Sequence, residues 1–217
     1  MNLGVKQSQA PHLLILNPDC VIHPDAVCAL QNASTNRASP WMIGGRLIDT
    51  KGQTQSGPRR RALTLARAVS TFIGRAGINM AMANNTAPSE PEAVDVCSGA
   101  FFLTDRAGFD QLNGFDERYF LHVEDIDLCK RALDAGGSVI HQPKAVALHY
   151  GSTSKVSALF VERHKAAGFA HYFRTHTKGP LARFGVEIII PAIYAALMIR
   201  ALFARRAAPS VPPQSPR

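Results

Sequence analysis

An aspartate that follows the first apolar run of the chain has the surroundings of a metal ligand. His12–Leu16 is apolar and is followed directly by Asn17, Pro18 and Asp19. A buried strand here would present Asp19 in the turn at its carboxyl end. A carboxylate held in such a turn suits a hard divalent cation, Mg²⁺ or Mn²⁺, which would bridge it to a phosphate. The alternative is an Asx turn or a helix cap, the commoner role of aspartate in turns.

Three acids lie within four residues at the predicted start of a helix: Glu124, Asp125 and Asp127. The helix dipole stabilises one or two acids there, but a third adds repulsion unless a cation or a proton relieves it. In a helix, Glu124 and Asp127 share a face, whereas Asp125 points about 100° away from Glu124. One acid could be a general base near an acceptor hydroxyl, and another could cap the helix or pair with Arg131. Both interpretations remain open at this point.

Two further segments could approach a phosphate or a sugar. His149 ends an apolar run and precedes Gly151 and residues 152–154, whose hydroxyl and N–H groups could cradle a diphosphate. Gly99 has no side chain, so the backbone of residues 98–100 could approach a ligand closely. The alternatives are a structural histidine and a β-bulge. Asp19, residues 98–99 and His149 all lie at or just past predicted strand ends, where α/β sheets bind ligands.

Strands and helices alternate along the chain, which predicts an α/β fold. A helix is also predicted within the long connection of residues 56–92, which we expect to be mobile. The predicted strands cover residues 12–16, 41–49, 94–105 with a tight step at 98–99, and 138–150 as two short strands broken at Pro143. The predicted helices cover residues 24–31, 61–73, 105–112, 124–135 and 161–206.

The basic charge of the chain is confined to one end. Residues 1–162 contain 15 Lys and Arg and 15 Asp and Glu, whereas residues 163–217 contain nine Lys and Arg and one acid, Glu187, so the net charge of +8 comes from this end. A neutral body with a basic end indicates an anionic partner for the end alone. Nucleic acid is disfavoured, because a basic stripe with interleaved aromatics is missing and aromatics are only 7% of the chain.

The same end contains a long apolar segment, residues 188–204. Pro191 and Arg200 interrupt it, so we expect an interfacial helix on an anionic membrane surface rather than a full membrane span. The alternative is an apolar helix packed on the body or on a partner chain. The four cysteines have no zinc-site spacing, which predicts reduced and mostly buried thiols.

The order and spacing of four segments are more specific than any one of them. They are LLILNPDCVIHPDAV, IGGRLIDTKG, VDVCSGAFFLTDRAGFDQLNGFDERYFLHVEDIDLCKRALDAGG and VIHQPKAVALHYGSTS. Together they resemble the family 2 inverting glycosyltransferases, and most closely a bacterial rhamnosyltransferase-like branch that builds cell-surface polysaccharides. The resemblance spans about residues 12–155, and GFDE…F…EDIDLCKR is its most specific part.

The resemblance implies a GT-A-like fold, here an incomplete Rossmann-like mixed sheet with a basic, apolar C-terminal helical extension. It also implies a nucleotide-sugar donor, a glycan or lipid-linked acceptor and Mg²⁺ or Mn²⁺, at the inner face of the plasma membrane. In this family pattern Asp19 and His149 are metal or diphosphate ligands, and Asp125 is the catalytic base with Glu124 beside it. The implied substrate-binding residues are Asn17, Ser98, Gly99, Ala100, Phe115, Asp116, Glu117 and Arg131.

The resemblance also divides the chain. The expected regions are a tail at residues 1–11, the C-terminal catalytic part of a GT-A domain at 12–160, a basic membrane-associating helical extension at 161–206, and a disordered tail at 207–217. In the resembled family a first βαβ unit, which holds the nucleotide base and ribose, precedes the metal-binding strand. That unit is missing here, so we expect weak nucleotide binding by the chain alone.

Two alternatives to an active transferase follow from the same residues. The chain could be an inactive fragment, or a half of a glycosyltransferase that depends on a partner for the missing strands. It could also be a carboxylate–metal hydrolase in which Asp19, Glu124, Asp125 and His149 are the ligands.

Overall fold

The computed structural model describes residues 1–68, 82, 88–151 and 156–204. The predicted helix at 61–73 lies partly outside this range, and its described residues 65–68 are helical. Residues 152–154, Arg205, Arg206 and the expected tail at 207–217 also lie outside it. The helices are α1 (Asn2–Lys6), α2 (Pro24–Ser34), α3 (Arg106–Gln111), α4 (Glu124–Asp134), α5 (Ala158–His176) and α6 (Pro180–Ala204). The strands are β1 (His12–Leu16), β2 (Cys20–Ile22), β3 (Trp41–Ile48), β4 (Glu92–Ala93), β5 (Phe101–Asp105) and β6 (Ser138–His149).

The strands form one mixed sheet in the order β1-β5-β3-β6-β2, and β4 pairs with β6 beside this path. Only the β3–β6 pair is parallel among these ladders, and the other pairs are antiparallel. The predicted α/β class with a mixed sheet is confirmed.

Both faces of the sheet are covered. Along β5, Phe101 and Leu103 point into the core beneath α2, whereas Phe102 points into the core beneath the other helices. Burial on both sides explains why β5 is apolar without alternation. The central strands are therefore held by packing on both faces.

The prediction of two short strands broken at Pro143 is wrong, because β6 is one strand of 12 residues. A shift in register absorbs the proline. Gly45 pairs with Gln142, and the next residue of β3, Arg46, pairs with Val146. Proline has no N–H to donate to the ladder, so residues 143–145 bulge out and pairing resumes beyond them.

The segment expected to be a tail, residues 1–11, contains helix α1. Val5 is buried in the main core. Asn2 fastens the helix to the body: its Nδ2 donates to the Phe115 carbonyl at 2.7 Å, and its Oδ1 accepts from the Phe115 N–H at 3.0 Å. These long-range contacts order a helix too short to be stable by itself.

The C-terminal extension is two helices, and Pro191 does not end the second one. Helix α6 is 25 residues long and continues through this proline. A stripe of buried residues, Val186, Ile190, Ile193, Leu197 and Ala201, lies along the helix, and α6 packs on α5. This packing offsets the roughly 3 kcal/mol cost of an internal proline. Pro180–Leu202 is long and apolar enough to cross a membrane by length and composition, with 28% of the window buried.

Candidate active site

The pairing of β2 with β6 brings the predicted metal ligands together. Cys20 is paired with His149 in the ladder, and the Tyr150 N–H donates to the Asp19 carbonyl at 3.0 Å. Asp19 Oδ1 and His149 Nε2 are 3.4 Å apart. Ligand atoms of Asp19, Cys20 and His149 all lie within 4.8 Å of one another. A carboxylate and an imidazole in this arrangement suit a divalent cation.

Gln55 determines which nitrogen of His149 faces Asp19. Its Nε2 donates to the His149 carbonyl at 3.0 Å, which turns its Oε1 towards the ring, 2.8 Å from Nδ1. His149 Nδ1 therefore carries the proton, and Nε2 is directed at Asp19. Outer hydrogen bonds of this kind orient metal-binding histidines in known sites.

Cys20 lies beside Asp19 and His149. From the sequence it was predicted only to be one of the buried thiols, not a neighbour of this site. Burial, followed by the negative charge of Asp19, raises the pKa of its thiol to about 11. The thiol is within 3.6 Å of the Ala100 carbonyl. Its position directly after Asp19 is the sequence signal for its proximity to the metal ligands.

Residues 98–100 connect the segment of the predicted metal ligands to the acidic helix. The Asn17 N–H donates to the Ala100 carbonyl at 2.9 Å, and the Gly99 N–H donates to Asp125 Oδ2 at 3.0 Å. A Cβ at Gly99 would lie 3.1 Å from the Asp125 Cβ, closer than ordinary contact. Ser98 supports the turn, because its Oγ accepts from the Ala100 N–H. These hydrogen bonds place residues 98–100 next to both Asn17 and Asp125, and a single shared site stays a prediction.

Arg60 is the main partner of Asp125, and sequence reasoning missed it. Its Nη2 lies 2.5 Å from Asp125 Oδ2 and 3.0 Å from the Cys97 carbonyl. Its backbone forms an isolated bridge with Val96. Burial would lower the pKa of the guanidinium, but the charge and hydrogen bond of Asp125 raise it. The run Pro58-Arg59-Arg60-Arg61 was the only signal, and nothing local distinguishes Arg60 within it.

Glu124 has a different environment from Asp125. Burial, together with the charge of Asp125, raises the pKa of its carboxyl to about 7. Its Oε2 is buried and makes no hydrogen bond within the described part of the chain. The two adjacent acids therefore differ: Asp125 is held by a cation and an N–H, and Glu124 binds a proton near neutral pH.

Asp127 has a structural role, which selects one of the alternatives left open by the sequence. It is almost fully buried and accepts from Arg131 Nε at 2.7 Å and from the Tyr119 hydroxyl at 3.2 Å. It also lies 2.7 Å from His176 Nε2. Arg131 additionally donates to the carbonyls of Leu112 and Gly114. All these contacts of Arg131 are internal, so it supports the helix instead of extending towards a substrate.

The predicted acceptor-side residues divide into internal and exposed ones. Phe115 is buried in the core against Phe109, so its side chain is structural. Asp116 accepts from Arg118 and contacts His171 at 3.0 Å, and the hydrogen bond from Arg118 holds the pKa of Asp116 well below its usual range. Glu117 is exposed and accepts from Asn2, and its contact with an acceptor stays a prediction.

The ligand set of the hydrolase alternative is not assembled. Among the described residues, the group placed to hold a metal consists of Asp19, Cys20 and His149. Asp125 is paired with Arg60 instead. Residues 98–100 thus contact Asn17 on one side and Asp125 on the other.

No protein-family profile matches the chain, but curated rhamnosyltransferases are similar to it, two of which are described here. One is the N-acetylglucosaminyl-diphospho-decaprenol L-rhamnosyltransferase of Mycobacterium tuberculosis, 27% identical over 146 residues, or 65% of this chain and 48% of the relative. The other is the rhamnosyltransferase WbbL of Escherichia coli, 29% identical over 151 residues, or 67% of this chain and 56% of the relative. The chain thus spans about half the length of the curated relatives it matches.

A solved structure supports the fold assignment. The mannosyltransferase PcManGT of Pyrobaculum calidifontis, solved with GDP-Man and Mn²⁺, matches 97% of this chain and 54% of its own, with a TM-score of 0.50 and 14% identity. At that identity the match shows the fold alone. The fold of the chain is GT-A-like, and the relatives it resembles in sequence are glycosyltransferases.

Proposed function

We propose that the chain carries the catalytic centre of a metal-dependent, inverting glycosyltransferase of the rhamnosyltransferase type, acting in cell-surface polysaccharide synthesis. A nucleotide sugar would be the donor, and a glycan or lipid-linked sugar the acceptor. The observation that carries this proposal is the position of residues 98–100, which contact both centres. Ala100 accepts from Asn17 beside the metal ligands, and Gly99 donates to Asp125.

Asp125 is the proposed general base. Its carboxylate accepts the proton of the acceptor hydroxyl, and the hydroxyl oxygen attacks the anomeric carbon from the face opposite the nucleotide. The carbon–oxygen bond to the diphosphate breaks as the new glycosidic bond forms, so the configuration inverts. Asp19 and His149 would hold Mg²⁺ or Mn²⁺, which supplies charge neutralisation for the departing diphosphate.

The similar proteins support this proposal to different extents. The two curated relatives are rhamnosyltransferases by name, and the name of the mycobacterial one gives a lipid-diphosphate acceptor. The mannosyltransferase with the same fold was solved with a nucleotide sugar and Mn²⁺. Rhamnose, the metal and family 2 membership are our assignments for this chain.

Helix α6 gives the proposed enzyme a means of associating with the cytoplasmic face of the plasma membrane. Leu181, Phe184 and Ile188 are exposed on it, and the chain from residue 163 onward is strongly basic. Apolar insertion and attraction to anionic lipid would act together. We expect binding to vesicles that contain phosphatidylglycerol and its loss at high salt. Equal binding to neutral vesicles would contradict the electrostatic part.

The proposed function is tested by incubating the full chain with nucleotide-sugar donors, a lipid-diphosphate-linked N-acetylglucosamine and Mn²⁺. We expect a product that contains the added sugar in inverted configuration, and its loss when EDTA is added. Sugar release to water, without transfer to the acceptor, would instead support a hydrolase.

A further inference from the structure

Helix α5, the first helix of the C-terminal extension, lies along the loop that leads to the proposed base. The rings of Phe160 and His164 contact the Phe120 ring, with centroids 5.8 Å and 4.4 Å away from it. One turn further on, Gly168 lies against Val123. The spacing of four residues puts Phe160, His164 and Gly168 on one face of the helix. This face therefore meets the chain directly before the acidic helix.

Two contacts fasten the C-terminal half of α5 to the same region. His171 Nε2 lies 3.0 Å from Asp116 Oδ2, and His176 Nε2 lies 2.7 Å from Asp127 Oδ1. The Tyr119 ring also packs edge-on against the His171 ring, with 4.7 Å between their centroids. Contacts on both sides of its middle thus hold α5 in place, and the middle of the helix cannot move away from the loop without breaking them.

The turn beneath the middle of α5 has an unfavourable backbone conformation. His122 and Val123 have φ angles of 63° and 72°, in the left-handed region that β-branched residues rarely adopt. Such a conformation persists only where the surrounding structure imposes it. Val123 is buried, and its carbonyl accepts from the Asp127 N–H at 2.9 Å, which begins the acidic helix. The conformation of this turn therefore sets the direction in which the acidic helix starts.

Gly168 is the point at which α5 touches this turn. A Cβ there would lie 3.1 Å from Val123 Cγ2, closer than ordinary contact, and 3.4 Å from the Val123 Cβ and the His122 carbonyl oxygen. A side chain at this position would therefore push the turn by a few tenths of an ångström. Glycine is otherwise a poor helix former in the interior of a 19-residue helix. The close approach to the turn explains its presence, whereas helix propensity does not.

A shift of this turn would reach the proposed base two residues later. Asp125 Oδ2 accepts from the Gly99 N–H at 3.0 Å and is paired with Arg60. Both partners belong to other segments of the chain, so they would not move together with the start of the helix. A displaced start would therefore alter these contacts and turn the carboxylate.

We propose that Gly168 is a positioning residue for Asp125. Its lack of a side chain lets α5 hold the turn at His122 and Val123, and this turn fixes the base beside residues 98–100. The inference rests on the proposed role of Asp125 as the base. It makes the first helix of the C-terminal extension a part of the catalytic centre.

The test follows the Gly99 amide signal of the full chain by ¹H–¹⁵N NMR, because this N–H donates to Asp125 and reports on it without a substrate. Gly168→Ala should shift this signal. It should also lower kcat about tenfold with KM for the donor within about twofold, since a misplacement of about 1 Å costs about a hundredfold in rate. Gly4→Ala is the matched control: it makes the same change in a helix where nothing lies within 4 Å of the added Cβ, and it should leave the signal and kcat unchanged.

A second substitution tests whether the effect passes through the turn. Val123→Ala removes the Cγ2 atom that the new Cβ would meet. Combined with Gly168→Ala, it should therefore restore part of the Gly99 signal and of kcat, a non-additive result that a merely structural glycine would not give. Val123→Ala alone loosens the turn from the other side and should also shift the Gly99 signal, so it provides the test if Gly168→Ala does not fold.

The proposal is overturned by an unchanged Gly99 signal in Gly168→Ala or in Val123→Ala, by an equal shift in Gly4→Ala, or by a double variant whose losses are the sum of the single ones. The NMR measurement needs no donor and no turnover. If the Gly99 signal responds as expected but the wild type transfers no sugar, the proposed function is contradicted, and the dependence of the Asp125 position on Gly168 stands.

Discussion

Asp125 Oδ2 accepts hydrogen bonds from two groups that the fold holds rigidly, Arg60 Nη2 at 2.5 Å and the Gly99 N–H at 3.0 Å. Arg60 is fixed through its own backbone bridge to Val96. Asp125 Oδ1 also accepts from the Ile126 N–H at 2.8 Å. The proposed base therefore has one orientation, which is set before any substrate binds.

Replacement of Arg60 should damage catalysis more than stability. In Arg60→Gln we expect kcat to fall about a hundredfold, because a misplaced reacting group costs this much, while KM for the acceptor changes little. Arg60→Lys should restore part of the rate. The matched control is Arg59→Gln, since Arg59 pairs with Glu92 instead. Arg60 would be merely structural if Arg59→Gln and Arg60→Gln lost the same fraction of the rate and if each loss followed the fall in melting temperature of that variant.

Glu124 should make the chain less stable as the pH rises. The unfolded carboxyl has its ordinary pKa of 4.5 and the folded one about 7, so between these values the folded state binds more protons and stability falls. Glu124→Gln should abolish this fall, a gain of about 1 to 3 kcal/mol at pH 8 relative to the wild type. Urea unfolding from pH 4 to 8 measures it. Glu90→Gln, at an exposed site, is the control, and identical pH profiles for wild type and Glu124→Gln would refute the prediction.

Asp127 should stabilise the chain in the opposite pH direction. Burial would raise the pKa of its carboxyl, but His176 and Arg131 lower it below 3.8. Its contribution is therefore complete above that value and is lost as the pH falls through the folded pKa. Asp127→Asn should cost about 3 to 5 kcal/mol at pH 7, because it leaves the largely buried guanidinium of Arg131 without its anion. Asp134→Asn, an exposed position on the same helix, should cost under about 1 kcal/mol; similar losses in both variants would contradict the assigned network.

Metal binding should depend on Gln55 as well as on Asp19. Asp19→Ala removes a ligand and should abolish Mn²⁺ binding, measured by water proton relaxation. Gln55→Leu leaves the ligands in place but frees the ring of His149, so the Mn²⁺ Kd should rise about tenfold. Asp25→Asn is the control, since Asp25 is exposed and close in sequence. Unchanged Mn²⁺ binding in Asp19→Ala would exclude this site.

Local signals predicted the elements, whereas the partners of the site residues depended on the fold. The strand ending at Leu16 and the helix starting at Glu124 were readable, because apolar runs and helical spacing reflect nearby burial. The continuity of α6 through Pro191 was not, because packing against α5 decides it. The contact of Arg60 with Asp125 joins residues 65 apart in sequence, and no local pattern encodes such a pairing.

The central claim is that Asp125 removes the proton of the acceptor hydroxyl and does not take part in binding the donor. The most direct measurement is the transfer rate of Asp125→Asn in the full chain at saturating donor, with the donor Kd measured alongside in Mn²⁺. Asp134→Asn is the control on the same helix. The account predicts a rate loss of about a thousandfold with the donor Kd within about twofold of wild type. A full transfer rate in Asp125→Asn would contradict it.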